Sequence, residues 1–539
     1  MISAWGNAYE DFQERTTREE RKSGTLNLAV RTELHEARSW KFQWTQAIAL
    51  SVLYAIPVFF VLRMDQALDT DVWWHLRTGQ WIFEHKAIPH TELFSTFASG
   101  KPWAAYSWLY ELIVFGLFQK LGLIGIVVYS SAMAVAITVA VHQLVRRLNS
   151  DFTLGVGLTF LAMYTMGRLF TPRPWLLTVL LFTIELNIIM NARKNGDTRE
   201  LLWLPFIFAI WANVHIQFVD GLLVLGIALT ESVAAQWWSA IKTKLSARKI
   251  VYVFLACIGA TLVNPYGCGI YRVAYGLAAQ MGELSQIIEF SAVSFRSLDD
   301  WCMLLLALAS LGTLTWTYRF AFFETMLLTF SIMTSFRSQR DIWVIAISAS
   351  VILSSKLQFK TGEKLRHDFW AIPFMGLATG LLVVLAFRVM RFDNADLQVK
   401  MATDLPQGAV EIIKQQNLKG PLYNDLNWGG FLIWSLRMPV SMDGRTNVYG
   451  SERIVRSYET WVGYPGWDSD PDLLQANLII AQSHAPLVQL LRFQPCLQLA
   501  YQDQLAAVFI PQRDEKAESG AVSTGFCARR DKLSNHPAE

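Results

Sequence analysis

The sequence predicts a polytopic α-helical membrane protein with a small α/β domain toward its C-terminal end. Two observations carry the first half of that prediction. Of the 539 residues, 53% are hydrophobic and 17% charged. The apolar residues come in repeated runs, most of them close to the ~20 residues that cross a bilayer. A third observation carries the second half: from about residue 392 the long runs stop, and short strand-length stretches alternate with short helical ones. The net charge of +3, with no basic groove or nucleic-acid motif, points away from nucleic acid. The five cysteines show no CxxC pairing and no metal-ligand spacing; Cys496 and Cys527 would pair only if the C-terminal domain is exported.

Taken in order, residues 1–42 are rich in Arg, Lys and Glu and read as a cytoplasmic tail with no cleavable signal peptide. A first span covers 43–64, and an acidic outer loop follows over 65–105. Residues 105–119 are apolar but contain Glu111, so they read as an interfacial helix or a short span. Excess Lys and Arg on the cytoplasmic side decides between the two. With 105–119 on the surface, spans fall at 122–145, 152–170, 174–191, 201–215, 217–238, 250–263, 299–317, 320–336, 341–355 and 369–389. The basic clusters Arg146–Arg147, Arg193–Lys194 and Arg248–Lys249 then all lie inside. Eleven spans result, and the C-terminal domain, residues 392–513, lies outside. Within it, 421–424, 440–442, 478–481 and 506–510 read as strands, and 406–416, 452–462 and 486–492 as helices. Residues 514–539 read as a disordered tail.

This topology gathers Asp69, Asp71, His75, Arg173, His215, Glu289, Arg337 and Arg340 at the outer face. Ionisable residues near membrane depth are costly and usually functional. The organising stretch is the first outer loop, where Asp69 and Asp71 precede Val72, Trp73, Leu76, Ile82 and Phe83, one apolar stripe of a helix. Such a helix lies at a membrane surface with its Trp residues at headgroup level. The carboxylates there either meet substrate or cap the helix N-terminus.

The run Asp71-Val-Trp-Trp-His-Leu-Arg77, followed by Trp81-Ile-Phe-Glu-His85, resembles the D-P-Y-x-x-x-R motif after the first span of oligosaccharyltransferase catalytic subunits. Val72 and Trp73 replace its Pro and Tyr. The run Tyr423-Asn-Asp-Leu-Asn-Trp-Gly-Gly430, with Asp443-Gly-Arg-Thr446 downstream, is similar to the W-W-D-Y-G acceptor motif of the same enzymes, with Gly429 in place of its Asp. The loop Met166–Trp175 lacks the acidic pair of that family. The layout resembles the wider GT-C class of membrane glycosyltransferases, which draw sugars from polyprenyl-phosphate or polyprenyl-diphosphate donors.

The resemblance implies a GT-C-like fold in the cytoplasmic membrane and transfer of a sugar to a glycan, lipid or protein acceptor. It implies Asp71 as the base that deprotonates or orients the acceptor, with Asp69 and His75 as further catalytic candidates. Arg337 and Arg340 are expected to grip the leaving phosphate. Arg77, Arg173, His215, Trp428, Asp443 and Arg445 are expected substrate contacts. A divalent cation, Mg or Mn, on Asp71 and Glu289 is a further expectation. The rival expectations are a transporter or flippase of lipid-linked intermediates and a non-catalytic scaffold of the same fold.

Overall fold

The computed structural model describes residues 43–64, 69–280, 288–316, 321–357 and 371–512. The expected tails and Cys527 lie outside the described residues. Helices follow in order: α1 (Gln43–Arg63), then α2 (Val72–His85), α3 (Trp108–Leu121), α4 (Ile124–Leu148), α5 (Phe152–Thr165), α6 (Trp175–Asn195) and α7 (Leu204–Val214). After these come α8 (Phe218–Ala234), α9 (Ala247–Thr261), α10 (Gly269–Gln280), α11 (Leu298–Trp316), α12 (Phe322–Arg337), α13 (Ile342–Lys356) and α14 (Ala371–Val389).

Eleven spans are not what forms. Among the described residues, 5 helices are long and apolar enough to cross a membrane: α1, α4, α6, α11 and α14. The other expected spans are helices too, but shorter. The reason is visible in α13, where every side chain from Ile342 to Ser354 is buried. A helix apolar all round is a buried helix, and hydropathy alone does not separate it from a span. α13 packs against α4, α5, α11 and α12. The opposite case is α14, whose Leu377, Leu381 and Val389 are each at least 67% exposed. So much open apolar surface on one helix suits lipid rather than water.

The chain divides into two units, residues 1–55 with 363–385, and residues 56–362 with 386–539. In the first, Trp44 meets Phe374 edge-on at 4.6 Å, and Thr379 Oγ1 donates to the Ser51 carbonyl at 3.5 Å. The second unit holds the remaining helices and the C-terminal domain.

That domain begins with α15 (Asn394–Asp404), which Asp393 caps at the Asp396 N–H, and continues with α16 (Gln407–Gln415). Strand β1 (Leu422–Asn424) leads into α17 (Leu426–Leu436), capped by Asp425. Then come α18 (Thr446–Tyr449), α19 (Ser451–Val462), α20 (Pro471–Leu474), β2 (Leu478–Gln482), α21 (Pro486–Arg492), β3 (Leu497–Gln502) and β4 (Ala506–Pro511). The sheet order is β1-β2-β4-β3, with β1 parallel to β2 and the other pairs antiparallel. Residues 440–442 do not join this sheet. Val440 instead pairs with the segment between α2 and α3, donating to the Phe94 carbonyl at 2.9 Å and accepting from the Thr96 N–H at 2.8 Å.

Two glycines set how closely α17 and the loop after it approach α2. A Cβ on Gly430 would stand 2.5 Å from the Thr70 carbonyl, and one on Gly444 would overlap Asp71 Oδ1. Trp73 meets Phe431 edge-on at 5.6 Å across the same contact. The C-terminal domain therefore sits directly on the start of α2, and glycines make room for it.

Candidate functional site

A cavity of about 1230 Å³ opens between the helical bundle and the C-terminal domain. Asp71, Trp74 and His75 from α2 and its approach form one part of its wall, with Arg173 and Trp175 from the turn before α6. Arg337 and Arg340 line a second part, Asn447, Tyr458 and His484 of the C-terminal domain a third, and the apolar Leu223, Leu277 and Phe330 a fourth.

The charged centre is built around Arg173. Its Nε donates to Asp69 Oδ2 at 2.8 Å, its Nη1 to Asp71 Oδ2, and its Nη2 to Glu289 Oε1 at 3.3 Å. The turn that carries it is pinned from two helices: Tyr110 Oη donates to the Pro172 carbonyl, and Tyr129 Oη to the Arg173 carbonyl at 3.3 Å. The Arg173 guanidinium also lies 5.3 Å from the centre of the Trp175 ring. The second oxygen of Asp69, Oδ1, accepts from the Asp71 N–H at 3.0 Å. Asp69 thus spends both oxygens on holding the loop and does not itself line the cavity. Asp71 spends one on Arg173, and its Oδ1 lies under Gly444.

Asp71 stands at the N-cap of α2 but makes no side-chain cap hydrogen bond. Its carboxylate has turned to the guanidinium instead. Burial raises its pKa to about 6; Arg173 pulls it down, and Asp69 and Glu289 push it further up. Burial raises Asp69 as well. Burial, and then the charge of Arg173, hold the His75 imidazole well below its ordinary pKa. A neutral imidazole makes its 3.2 Å contact with Glu111 Oε1 a hydrogen bond rather than an ion pair. His75 is packed between Trp74 and Tyr110, with ring centres 3.5 and 4.9 Å away.

Arg340 is held by stacking. Its guanidinium lies 5.4 Å from the Trp175 ring centre and 5.6 Å from that of Phe290, and its Nε is buried with no hydrogen-bond partner among the described residues. Arg337 is exposed beside it. His215 Nδ1 shares a 2.9 Å hydrogen bond with Thr178 Oγ1, which also accepts from the Trp211 indole N–H, so the ring is fixed from behind.

The expected residues therefore separate. Asp69, Asp71, Arg173 and Glu289 come together in one ion cluster, and His75, His215, Arg337, Arg340 and Arg445 line the same cavity. Arg77 does not reach it: its Nη1 donates to Gln80 Oε1 at 2.9 Å. Trp428 and Asp443 do not line it either. Trp428 is buried in the packing of α17. Asp443 and Glu92 both clamp Arg445, with Nη2–Oδ2 at 2.6 Å and Nη1–Oε2 at 2.7 Å, while Tyr449 Oη donates to Asp443 at 2.7 Å. That network ties the segment between α2 and α3 to the C-terminal domain, so Asp443 has a joining role where a substrate contact was expected.

The oxygens expected to hold a divalent cation do not fit one as placed. Asp71 and Glu289 each face Arg173, whose guanidinium lies between them. Glu92, Asp220 and Trp461 were not singled out by sequence, and Glu111 was named there only as an acid within an apolar stretch. An acid inside an otherwise apolar run is the signal that points to Glu111 and Asp220; Glu92 and Trp461 carry no such local signal.

No protein-family model matches this chain, and no curated protein sequence matches it.

Proposed function

We propose that this chain is an integral-membrane glycosyltransferase of the GT-C type. It transfers a sugar from a polyprenyl-phosphate-linked donor to an acceptor at the outer face of the cytoplasmic membrane, where its C-terminal domain lies. The observation that carries this reading is one cavity with three kinds of wall. A carboxylate, Asp71, is on one side; a stacked guanidinium, Arg340, whose Nε has no hydrogen-bond partner among the described residues, is on another; apolar side chains of α8, α10 and α12 form a third. In the proposed reaction Asp71 takes the proton of the acceptor nucleophile as it bonds to the anomeric carbon. The bond from that carbon to the phosphate oxygen breaks, and the prenyl phosphate leaves with the electron pair. Arg340 and Arg337 bind the charge that develops on it. The apolar wall takes the prenyl chain, and the amide and aromatic side chains of the C-terminal domain face the acceptor.

The test is a mass-spectrometric comparison of surface glycans and lipid-linked sugars in cells with wild-type protein, with Asp71→Asn, and without the gene. Loss of one glycan with accumulation of its lipid-linked donor in both altered strains is expected. Unchanged glycans and donors in the Asp71→Asn strain would overturn the reading.

One observation favours a second reading, a transporter of lipid-linked intermediates. Glu185 sits in the middle of α6, fully buried, with neither oxygen partnered among the described residues. Carboxyl groups at such depth mark transport pathways. Under that reading Glu185→Gln, rather than Asp71→Asn, stops glycan output, and the lipid-linked sugar accumulates on the inner leaflet.

A further inference from the structure

We infer that Arg173 is the resident cation of the carboxylate cluster, and that Asp69, Asp71 and Glu289 form a cradle from which this guanidinium excludes divalent metal. The inference concerns cation binding and does not depend on the transfer reading.

Three features carry it. The guanidinium spends three different N–H groups on three different carboxylates. A fork of fixed geometry matches such a set, whereas an ion of Mg or Mn size demands about six oxygens at short range. Asp69 offers no spare oxygen, because Oδ1 already accepts from the Asp71 N–H. The guanidinium is also not free to swing aside. Pro172 and Pro174 flank it, Tyr110 and Tyr129 hold its backbone from α3 and α4, and Trp175 lies beside it.

The arithmetic of charge gives the consequence. Three carboxylates and one guanidinium leave the cluster negative, yet the positive charge sits at its centre, where a second cation would meet it directly. Remove the guanidinium and the same oxygens surround a space with no positive charge. With its carboxyls ionised, such a site takes up a cation.

The experiment measures Mn²⁺ binding by the full-length protein in detergent, from the loss of the free-ion signal in electron paramagnetic resonance. Wild type is expected to bind no stoichiometric Mn²⁺ at this site. Arg173→Gln is expected to bind one ion per chain, ~tenfold or more tightly than any wild-type binding. Adding Glu289→Gln to that variant should abolish the gain, and Arg173→Lys, which keeps the charge, should show none. Stoichiometric Mn²⁺ on wild type that is lost in Glu289→Gln would overturn the inference, and this arm needs no change at Arg173. A folded Arg173→Gln protein, judged by its thermal transition, that gains no Mn²⁺ would overturn it as well.

Discussion

Two of the arginines held by buried carboxylates lie at opposite ends of α6, and the comparison between them separates a strut from a site. Arg193, in the last turn of α6, pairs with Glu231 through Nε and Nη2 at 2.9 and 2.6 Å, and with Glu324 at 3.2 and 3.3 Å. Lys356 adds a further cation 3.5 Å from Glu324, and the guanidinium lies 4.2 Å from the centre of the Phe323 ring. Every carboxylate oxygen there faces a cation, and the cluster joins α6, α8, α12 and α13. Arg173, before the first turn of the same helix, is also ringed by carboxylates, but it borders the cavity together with Asp71 and Glu289. Charge enclosed between helices fixes them together; charge at a cavity wall can meet a ligand.

The largest expected effect tests the cluster at the cavity wall. Asp71→Asn should reduce transfer by about 10²–10⁴-fold, the usual contribution of a general base. It should leave the thermal transition in detergent nearly unchanged, since the Asn amide oxygen can still accept from Arg173 Nη1 and burial already favours the uncharged form at this position. Full activity, or inactivity only through unfolding, would remove the distinction between the two clusters.

The next tests the cluster enclosed between helices. Arg193→Met strands two buried glutamates, and breaking a buried pair from one side costs about 3–5 kcal/mol. Chemical or thermal denaturation should register that loss, while the residual folded protein keeps its affinity for donor. Arg340→Ala should do the reverse. Donor affinity measured by calorimetry should fall by about 1.5–3 kcal/mol, the worth of a charged hydrogen bond, with little change in stability.

The response to pH is smaller and has a definite sign. Asp71 keeps its proton up to about pH 6, so base-assisted transfer should climb as pH rises through that value. Stability moves the other way. Folding raises this carboxyl above its ordinary value, so its contribution is fully present at low pH and is lost as pH rises through about 6. In Asp71→Asn both changes should flatten. The smallest effect is expected at Arg77, which is turned away from the cavity; Arg77→Ala should shift stability by no more than ~0.5 kcal/mol and leave donor affinity unchanged.

Much of the helical layout was legible because a sustained apolar run is an unambiguous signal, and every expected span coincides with a helix. What hydropathy could not report is whether an apolar face meets lipid or protein, which is why α13 reads like α14. In the C-terminal domain, β3 escaped notice because it is a largely exposed edge strand: Gln498 and Leu499 face outward, and no apolar alternation marks it. Residues 440–442 look like a strand by composition and do pair as one, but with Phe94–Thr96, far away in sequence. At the site, Asp69, Asp71 and Arg173 were legible as charges next to apolar segments. Their grouping around one guanidinium was not, because three separate stretches of chain supply it. Trp428-Gly429-Gly430 shows the limit of a motif: its glycines serve close packing, with a Cβ on Gly429 overlapping the Met442 carbonyl.

The contact of Gly430 and Gly444 with the start of α2 bears on how the protein is made. Ribosomes deliver the stretch that holds Asp71 early and the residues that close over it later. Until some three hundred and more further residues have been synthesised, Asp71 stands open to bulk water, and the wall that carries Asn447, Tyr458 and His484 does not exist. Under the proposed function, the cavity is complete only once Gly444 and the wall beyond it have been made. A chain stopped before Gly444 is expected to lack that wall and with it any transfer.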